Sequence, residues 1–344
     1  MKTKLFIFTF IIFLFSNLIN AAPPTNTWSV LDAPLTEGQL PMTASGTLIW
    51  GDYNNDGHLD AFIIAGQGTP VVGLYKNNGD ETFTPIATNI TALNQGAAVF
   101  LDYNNDGNLD LLIAGKTDAP QTILYKNTGA PNYTFEVDNE NTEILVNVFP
   151  EGNDNSPRIL EAFDFDNDGW TDILINGNHG ATWDANGSQR VVALYKNNKG
   201  TFELQSTPYD GGHFTPMNGG SIHVGDVNND GFDDILVTGY SSGAVTNLYI
   251  NKQDGTFMLF TPTEDAKFTG HLQGETVFVD INSDGWNDIV EIGRDANNGW
   301  ANFANIFINN KDNTCTKVPS SYSNLAGGQA RIAAGDVNND GSMD

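Results

Sequence analysis

The stretch Asp52-Tyr-Asn-Asn-Asp-Gly-His-Leu-Asp60 puts three Asp, two Asn and one Gly into nine positions. Carboxylates this close repel one another unless something neutralises them. The stretch recurs as DYNNDGNLD from Asp102, DFDNDGWTD from Asp164, DVNNDGFDD from Asp226, DINSDGWND from Asp280 and DVNNDGSMD from Asp336. The first aspartates of the six copies are spaced by 50, 62, 62, 54 and 56 residues, so each copy belongs to one supersecondary unit of similar size.

The spacing of oxygens within each copy points to a hard cation. Ca²⁺ takes six to eight oxygen ligands, and an Asp-x-Asp/Asn-x-Asp-Gly loop turns side-chain oxygens from positions 1, 3 and 5 toward a common centre. Position 1 is Asp52, Asp102, Asp164, Asp226, Asp280 and Asp336; position 3 is Asn54, Asn104, Asp166, Asn228, Asn282 and Asn338. Position 5 is Asp56, Asp106, Asp168, Asp230, Asp284 and Asp340. Gly57, Gly107, Gly169, Gly231, Gly285 and Gly341 follow, where the chain bends sharply and a Cβ is expected to clash. Position 7 varies freely (His58, Asn108, Trp170, Phe232, Trp286, Ser342), as expected of a residue that offers only its backbone carbonyl. Position 9 is always Asp (Asp60, Asp110, Asp172, Asp234, Asp288, Asp344) and closes the shell three residues earlier than the Glu of an EF-hand.

The flanks are wrong for an EF-hand, which needs a helix on each side. Thr47–Trp50, Ala98–Leu101, Ile222–Val224 and Thr276–Val279 precede the loops, and Ala61–Ile64, Leu111–Ile113 and Ile235–Val237 follow them. Such short apolar runs read as buried strands. Third strands are predicted at Val71–Lys76, Thr122–Lys126, Val191–Lys196 and Val245–Ile250, and fourth strands at Thr82–Thr84, Thr134–Glu136, Thr201–Glu203 and Thr256–Met258. Turn signals such as Asn78-Gly79 and Asp254-Gly255 join third to fourth. Four strands with local connections in about 55 residues describe the blade of an all-β propeller, built of four-stranded antiparallel sheets.

In composition the 344-residue chain has 15 Lys and Arg against 42 Asp and Glu, a net charge of -27, and 20 of the acidic residues lie in the six loops. Phosphate backbones would be repelled, which excludes nucleic acid as a partner and leaves cations. With 40% hydrophobic residues there is enough apolar surface for a sizeable core. Lys2 and Lys4, the apolar run Leu5–Phe15 and the small residues Ala21 and Ala22 form the three regions of a secretory signal, predicted at residues 1–21 with the propeller over 22–344. The run is shorter than the ~20 residues of a spanning helix, so no membrane span is expected after cleavage. Cys315 is alone, which rules out a disulfide within the chain.

The Asp-x-Asn-x-Asp-Gly-x-x-Asp loop after an apolar strand, followed by Ile-x-x-Gly and Leu-Tyr-x-Asn-x-x-Gly-x-Phe, resembles FG-GAP/VCBS-type repeats, as found in integrin α-chain propellers. The resemblance runs from about residue 28 to the end. It implies Ca²⁺ as a structural cofactor, about one per blade, held by positions 1, 3, 5 and 9 of each loop. Integrin-type Phe-Gly and Gly-Ala-Pro signatures have only a partial echo at Gly96-Ala97-Ala98, so the likeness extends to the fold rather than to cell adhesion. Family members typically have seven blades. Five complete blades and a partial sixth are expected here, with Trp28–Leu31 supplying the outer strand of the closing blade and the C-terminus truncated.

Function is expected to be that of a secreted or cell-surface binding module for an extracellular glycan or protein. The alternative is the propeller portion of a larger extracellular polysaccharide-active enzyme. Long connections on the face opposite the loops, Gly177–Arg190 with His179 and Trp183, Tyr209–Gly220 with His213 and Phe214, and Gly293–Trp300, are where a partner is expected, since rings beside Asn and Asp suit sugar. Catalysis by the chain itself is not expected. His58, His179, His213, His223 and His271 show no triad or metal-ligand spacing, and Cys315 has no base beside it in sequence. Asn89, Asn132 and Asn186 begin N-glycosylation sequons, usable in a eukaryotic host.

Overall fold

Five antiparallel sheets of four strands follow one another along the chain in a computed structural model that describes residues 46–66, 69–80, 82–150, 158–180, 189–205, 212–319, 331–336 and 343. Blade 1 is β1 (Gly46–Gly51), β2 (Asp60–Ala65), β3 (Val71–Asn77) and β4 (Phe83–Ile86). Blade 2 is β5 (Asn94–Leu101), β6 (Asp110–Lys116), β7 (Pro120–Asn127) and β8 (Phe135–Val137). Blade 3 is β9 (Leu160–Phe163), β10 (Asp172–Asn178), β11 (Arg190–Asn197) and β12 (Phe202–Leu204). Blade 4 is β13 (Ile222–Gly225), β14 (Asp234–Tyr240), β15 (Ala244–Asn251) and β16 (Phe257–Leu259). Blade 5 is β17 (Leu272–Val279), β18 (Asp288–Asp295), β19 (Ala301–Asn309) and β20 (Cys315–Lys317).

Within each sheet the strands are hydrogen-bonded in sequence order, and each innermost strand packs on the innermost strand of the next blade. This is the β-propeller arrangement, and the described part holds five complete blades. Second strands are buried on both faces, as in Asp110–Lys116 of blade 2, whose sheet packs between those of blades 1 and 3. That burial explains why they read as unbroken apolar runs rather than as alternating ones. The closing-strand assignment at Trp28–Leu31, the signal at 1–21 and most of the sixth loop lie outside the described residues; of that loop only Asp336 and Met343 are described.

Packing between blades repeats as well. The ring at loop position 2 meets the first residue of the next blade's outer strand: Tyr53 with Phe135 at 6.1 Å, Tyr103 with Phe202 at 6.0 Å and Phe165 with Phe257 at 6.2 Å between centroids. Beside each pair, an Asn that ends the third strand reaches back to the preceding loop. The Nδ2 groups of Asn127, Asn197, Asn251 and Asn309 donate to the carbonyls of Tyr53, Tyr103, Phe165 and Val227 at 2.7–2.8 Å. One helix was not anticipated. The helix α1 (Asn139–Ile144) is capped by Asp138, whose Oδ1 accepts from the Asn141 N–H at 3.0 Å. Asn141, almost fully buried, bonds to Gly200 O and Phe202 N, so the helix ties blade 2 to the outer strand of blade 3.

Near the axis a charge cluster spans the inner strands. Arg158 Nε lies 3.1 Å from Glu275 and its guanidinium 3.9 Å from Glu161, while Glu275 also accepts from the Ile332 N–H at 2.8 Å. Burial pushes the Glu161 carboxyl up to about 7 against the pull of Arg158. Nothing in the repeat pattern announces this cluster, because it is carried by non-repeated residues.

Removing a buried, fully bonded amide should weaken the join between blades 2 and 3. Asn197→Ala strands the Tyr103 and Thr171 carbonyls and the Gly200 N–H, and a loss on the order of 3 kcal/mol is expected in urea unfolding. The exposed neighbour variant Asn198→Ala should change stability by less than about 0.5 kcal/mol. Equal effects would contradict an inter-blade role for Asn197.

Candidate metal centre

Each loop folds around its own first aspartate. In all five described copies the position 1 carboxylate accepts from the N–H of position 5 through Oδ1 at 2.9–3.1 Å and from the Gly N–H through Oδ2 at 2.7–2.9 Å. The position 5 carboxylate in turn accepts from the N–H of position 7 at 2.9–3.1 Å. The glycines adopt φ of 81° to 88°, and a Cβ there would meet nothing within 4 Å. Backbone conformation, not the clash expected from sequence, is what demands glycine.

Position 4 also enters the left-handed region, at φ 54° to 57°, and has a role missed in the sequence. Asn55, Asn105, Asn167 and Asn229 each donate through Nδ2 to the Gly carbonyl of the next loop, at 2.9–3.0 Å. The loops are thereby chained into an arc. The signal was present as an Asn at this position in five of the six copies, Ser283 being the exception.

Position 9 sits underneath. Asp60, Asp110, Asp172, Asp234 and Asp288 are fully buried, and each accepts from the backbone N–H of the Asn that ends the third strand, at 2.7–2.8 Å. In loops 2 to 5 the other oxygen accepts from the N–H of position 2, at 2.9–3.3 Å. Burial pushes these carboxyls up, to about 6 for Asp60 and Asp288 and about 7 for Asp110, Asp172 and Asp234, opposed by the backbone donors.

The donor set fits a hard cation in two respects. In loop 3, oxygens of Asp164, Asp166 and Asp172, at positions 1, 3 and 9, lie within 4.8 Å of one another. The position 3 oxygens Asn54 Oδ1 and Asp166 Oδ1 are buried without a hydrogen-bond partner, a state that costs free energy unless something else satisfies them. Of the position 7 side chains, Trp286 lies between blades 4 and 5, and Asn108 accepts from Asn55 through Oδ1 and donates through Nδ2 to Asp106 Oδ1 at 2.8 Å.

Part of the charge is met by the chain itself. Lys76 lies 3.0 Å from Asp56, Lys126 3.7 Å from Asp106 and Lys311 3.3 Å from Asp284, while Lys196 is 2.9 Å from Asp168 and also bonds Asp166. The place of Lys76, Lys126 and Lys196 is taken by Ile250 in blade 4 and Ile308 in blade 5, where Lys311 acts from three residues further on; Lys252 lies 3.5 Å from Asp254.

On the opposite face the expected contact residues divide. Trp183 lies outside the described residues. Phe214 is not available to a partner: it is buried against Tyr249 (4.7 Å) and Phe257 (5.7 Å), because the Gly212–Gly220 connection folds inward to cover blade 4. His179 and His213 are exposed, and so is Trp300, at 49%. The turn bearing Trp300 is braced, since Asn297 bonds both backbone groups of Ala244 in blade 4. Burial pushes His223 and His271 down to about 3, so neither titrates near neutrality. Burial, with Glu291 nearby, pushes the Cys315 thiol up to about 11.

Five radially repeated sheets with an acidic loop between the inner two strands of each define a β-propeller with one acidic loop per blade. The profile of the FG-GAP-like repeat matches residues 52–113, 102–175, 164–237, 226–291 and 280–344, and the chain belongs to that family. The first four matches each run from one loop into the second strand of the next blade. Among solved structures, a lectin of Agrocybe aegerita described as recognising non-reducing terminal N-acetylglucosamine is similar at 19% identity and a TM-score of 0.49, over 80% of this chain. The similarity spans 66% of the lectin chain. No curated protein sequence matches.

The raised carboxyls set a pH dependence for metal-free protein. A carboxyl whose folded value lies above its unfolded one holds more protons when folded, so its contribution is greatest below about 4 and is lost as pH rises through about 7. In EDTA, melting temperature should therefore rise as pH is lowered from 7.5 to 5.5. Melting that falls over this interval would contradict the burial of the position 9 aspartates.

Proposed function

We propose that the chain is a secreted, calcium-stabilised binding module that presents a glycan-binding face opposite its acidic loops, and that it is not itself an enzyme. The observation that carries the calcium half is the unsatisfied position 3 oxygen inside a loop whose other oxygens converge on it. Positions 1, 3, 5 and 9 would hold the ion, which supplies positive charge and a rigid cross-link at the bend between the two inner strands of each blade. Lysines satisfy only the outer oxygens at position 5, apart from Lys196, which also reaches Asp166.

With the loops serving one structural task on one side, the β2–β3 type and blade-to-blade connections are left to meet a partner. Trp300 on its braced turn offers an exposed ring near Asn298, which suits stacking on a sugar with an amide group for its hydroxyls. Secretion is supported by the Lys2-to-Ala22 pattern, and among the described residues no helix is long and apolar enough to cross a membrane. Against catalysis stand the half-buried His223 and the buried His271, both held neutral, and the unactivated Cys315 thiol.

At ~1 mM free Ca²⁺ and Kd values on the order of 10⁻⁴ to 10⁻³ M, five sites together stabilise by roughly 2 to 7 kcal/mol. Excess EDTA should lower the melting temperature of the calcium-loaded protein by several degrees, and an unchanged melt counts against structural calcium. On a glycan array the wild type should bind and Trp300→Ala should bind about tenfold more weakly. Release of reducing ends from polysaccharide would favour the enzyme reading instead.

A further inference from the structure

The cations that meet the acidic loops are all lysines, and the four arginines of the chain, Arg158, Arg190, Arg294 and Arg331, lie elsewhere. Arg158 is paired with Glu275 at 3.1 Å, and Arg190 lies over the Tyr240 ring at 4.9 Å and bonds the Ser241 carbonyl. Arg294 differs. Half-buried near the end of β18, it donates through Nε to Asn302 Oδ1 at 3.4 Å and through Nη1 to Gln273 Oε1 at 3.2 Å. Among the described residues no carboxylate lies within ion-pair distance of it, in a chain with 42 Asp and Glu. Its neighbour Asp295 alternates to the other side of the strand, where its Oδ1 accepts from the Asn297 N–H at 2.8 Å.

The same hairpin carries Trp300. Arg294 stands opposite Asn302 and Asp295 opposite Ala301, the residue after Trp300. The Trp300 N–H donates to the Asp295 carbonyl at 2.9 Å, which closes the turn and leaves the indole 49% exposed. An exposed ring and a guanidinium without an acid partner therefore share one hairpin tip, at the end of the blade away from the acidic loop.

We propose that this hairpin is a subsite for an acidic sugar, with Trp300 stacked on a hexuronate ring and Arg294 receiving its carboxylate. The proposal rests on the glycan-binding reading and adds the class of sugar. The amide oxygens of Asn302 and Gln273 hold the guanidinium in place, and its Nη1–Nη2 edge keeps N–H groups for the two oxygens of a carboxylate. Stacking on Trp300 is common to acidic and neutral sugars, so Arg294 supplies the discrimination between them.

The test is calorimetric titration of the calcium-loaded chain with oligomers of galacturonate, mannuronate and glucuronate, each beside its neutral, carboxyl-reduced counterpart. Wild type is expected to bind at least one acidic oligomer about tenfold more tightly than its counterpart. Arg294→Gln should bring the two to equal affinity, and Arg294→Lys, which keeps the charge without the planar fork, should retain only part of the preference. Lys116→Gln, which removes one positive charge from blade 2, should leave the preference unchanged. Each variant is checked against the wild-type melting temperature, and should Arg294→Gln melt lower, Arg294→Lys is the deciding variant. Carboxylates bridged by calcium to the acidic loops would bind Arg294→Gln and Arg294→Lys as tightly as wild type, which would overturn the proposal. Equal binding of acidic and neutral oligomers by wild type would overturn it while leaving the glycan reading intact, and binding of neither would overturn both.

Discussion

The aspartate that ends each loop is the constraint on which the remaining structure depends. It is the first residue of the second strand and fully buried, yet it accepts from the last residue of the third strand and, in four loops, from position 2. A buried carboxylate must be satisfied or neutralised, so the loop cannot drift without stranding it. The Asn that donates its backbone to this carboxylate uses its side chain to hold the preceding blade. One short segment therefore fixes the loop, the sheet beneath it and the neighbouring sheet, which is why the motif recurs as a block rather than residue by residue.

The chain neutralises only part of the charge of the loops. Lysines reach the position 5 aspartates from outside in four blades, but the position 3 oxygens of loops 1 and 3 stay without a donor in the interior. An ammonium is a single hydrated point charge and gives three donors at most. It cannot reproduce the six to eight oxygens gathered by a calcium ion. At the junction of blades 4 and 5 the ring pair gives way to Val227 and Cys315, and Phe268, edge-on to Phe307 at 5.0 Å, packs there from a connection instead.

The strands, their order within a blade and the position of the acidic loops were all legible, because apolar runs, turn residues and loop spacing recur in fixed order at Leu111–Ile113, Asn78-Gly79 and Asp102–Asp110. The glycine reading was right in residue and wrong in cause: open space surrounds Gly57, and its φ of 86° carries the requirement. Phe214 was misread as a contact residue, since a sequence does not show that its connection folds inward onto Tyr249. The helix α1 was missed because six residues carry too little periodicity to register, and its stability comes from Asn141 bonding a different blade.

By itself the sequence determined the repeat, the all-β class, the acidic loop in each unit and its suitability for a hard cation, since each of these is written in residue type and local spacing. Only the tertiary structure decided which oxygens are used up by backbone donors and which remain unsatisfied, which asparagines join blade to blade, and that Val227 and Cys315, 88 positions apart, line one cleft. Those outcomes depend on how adjacent sheets face each other across a junction, and that is settled by packing between residues far apart in the chain.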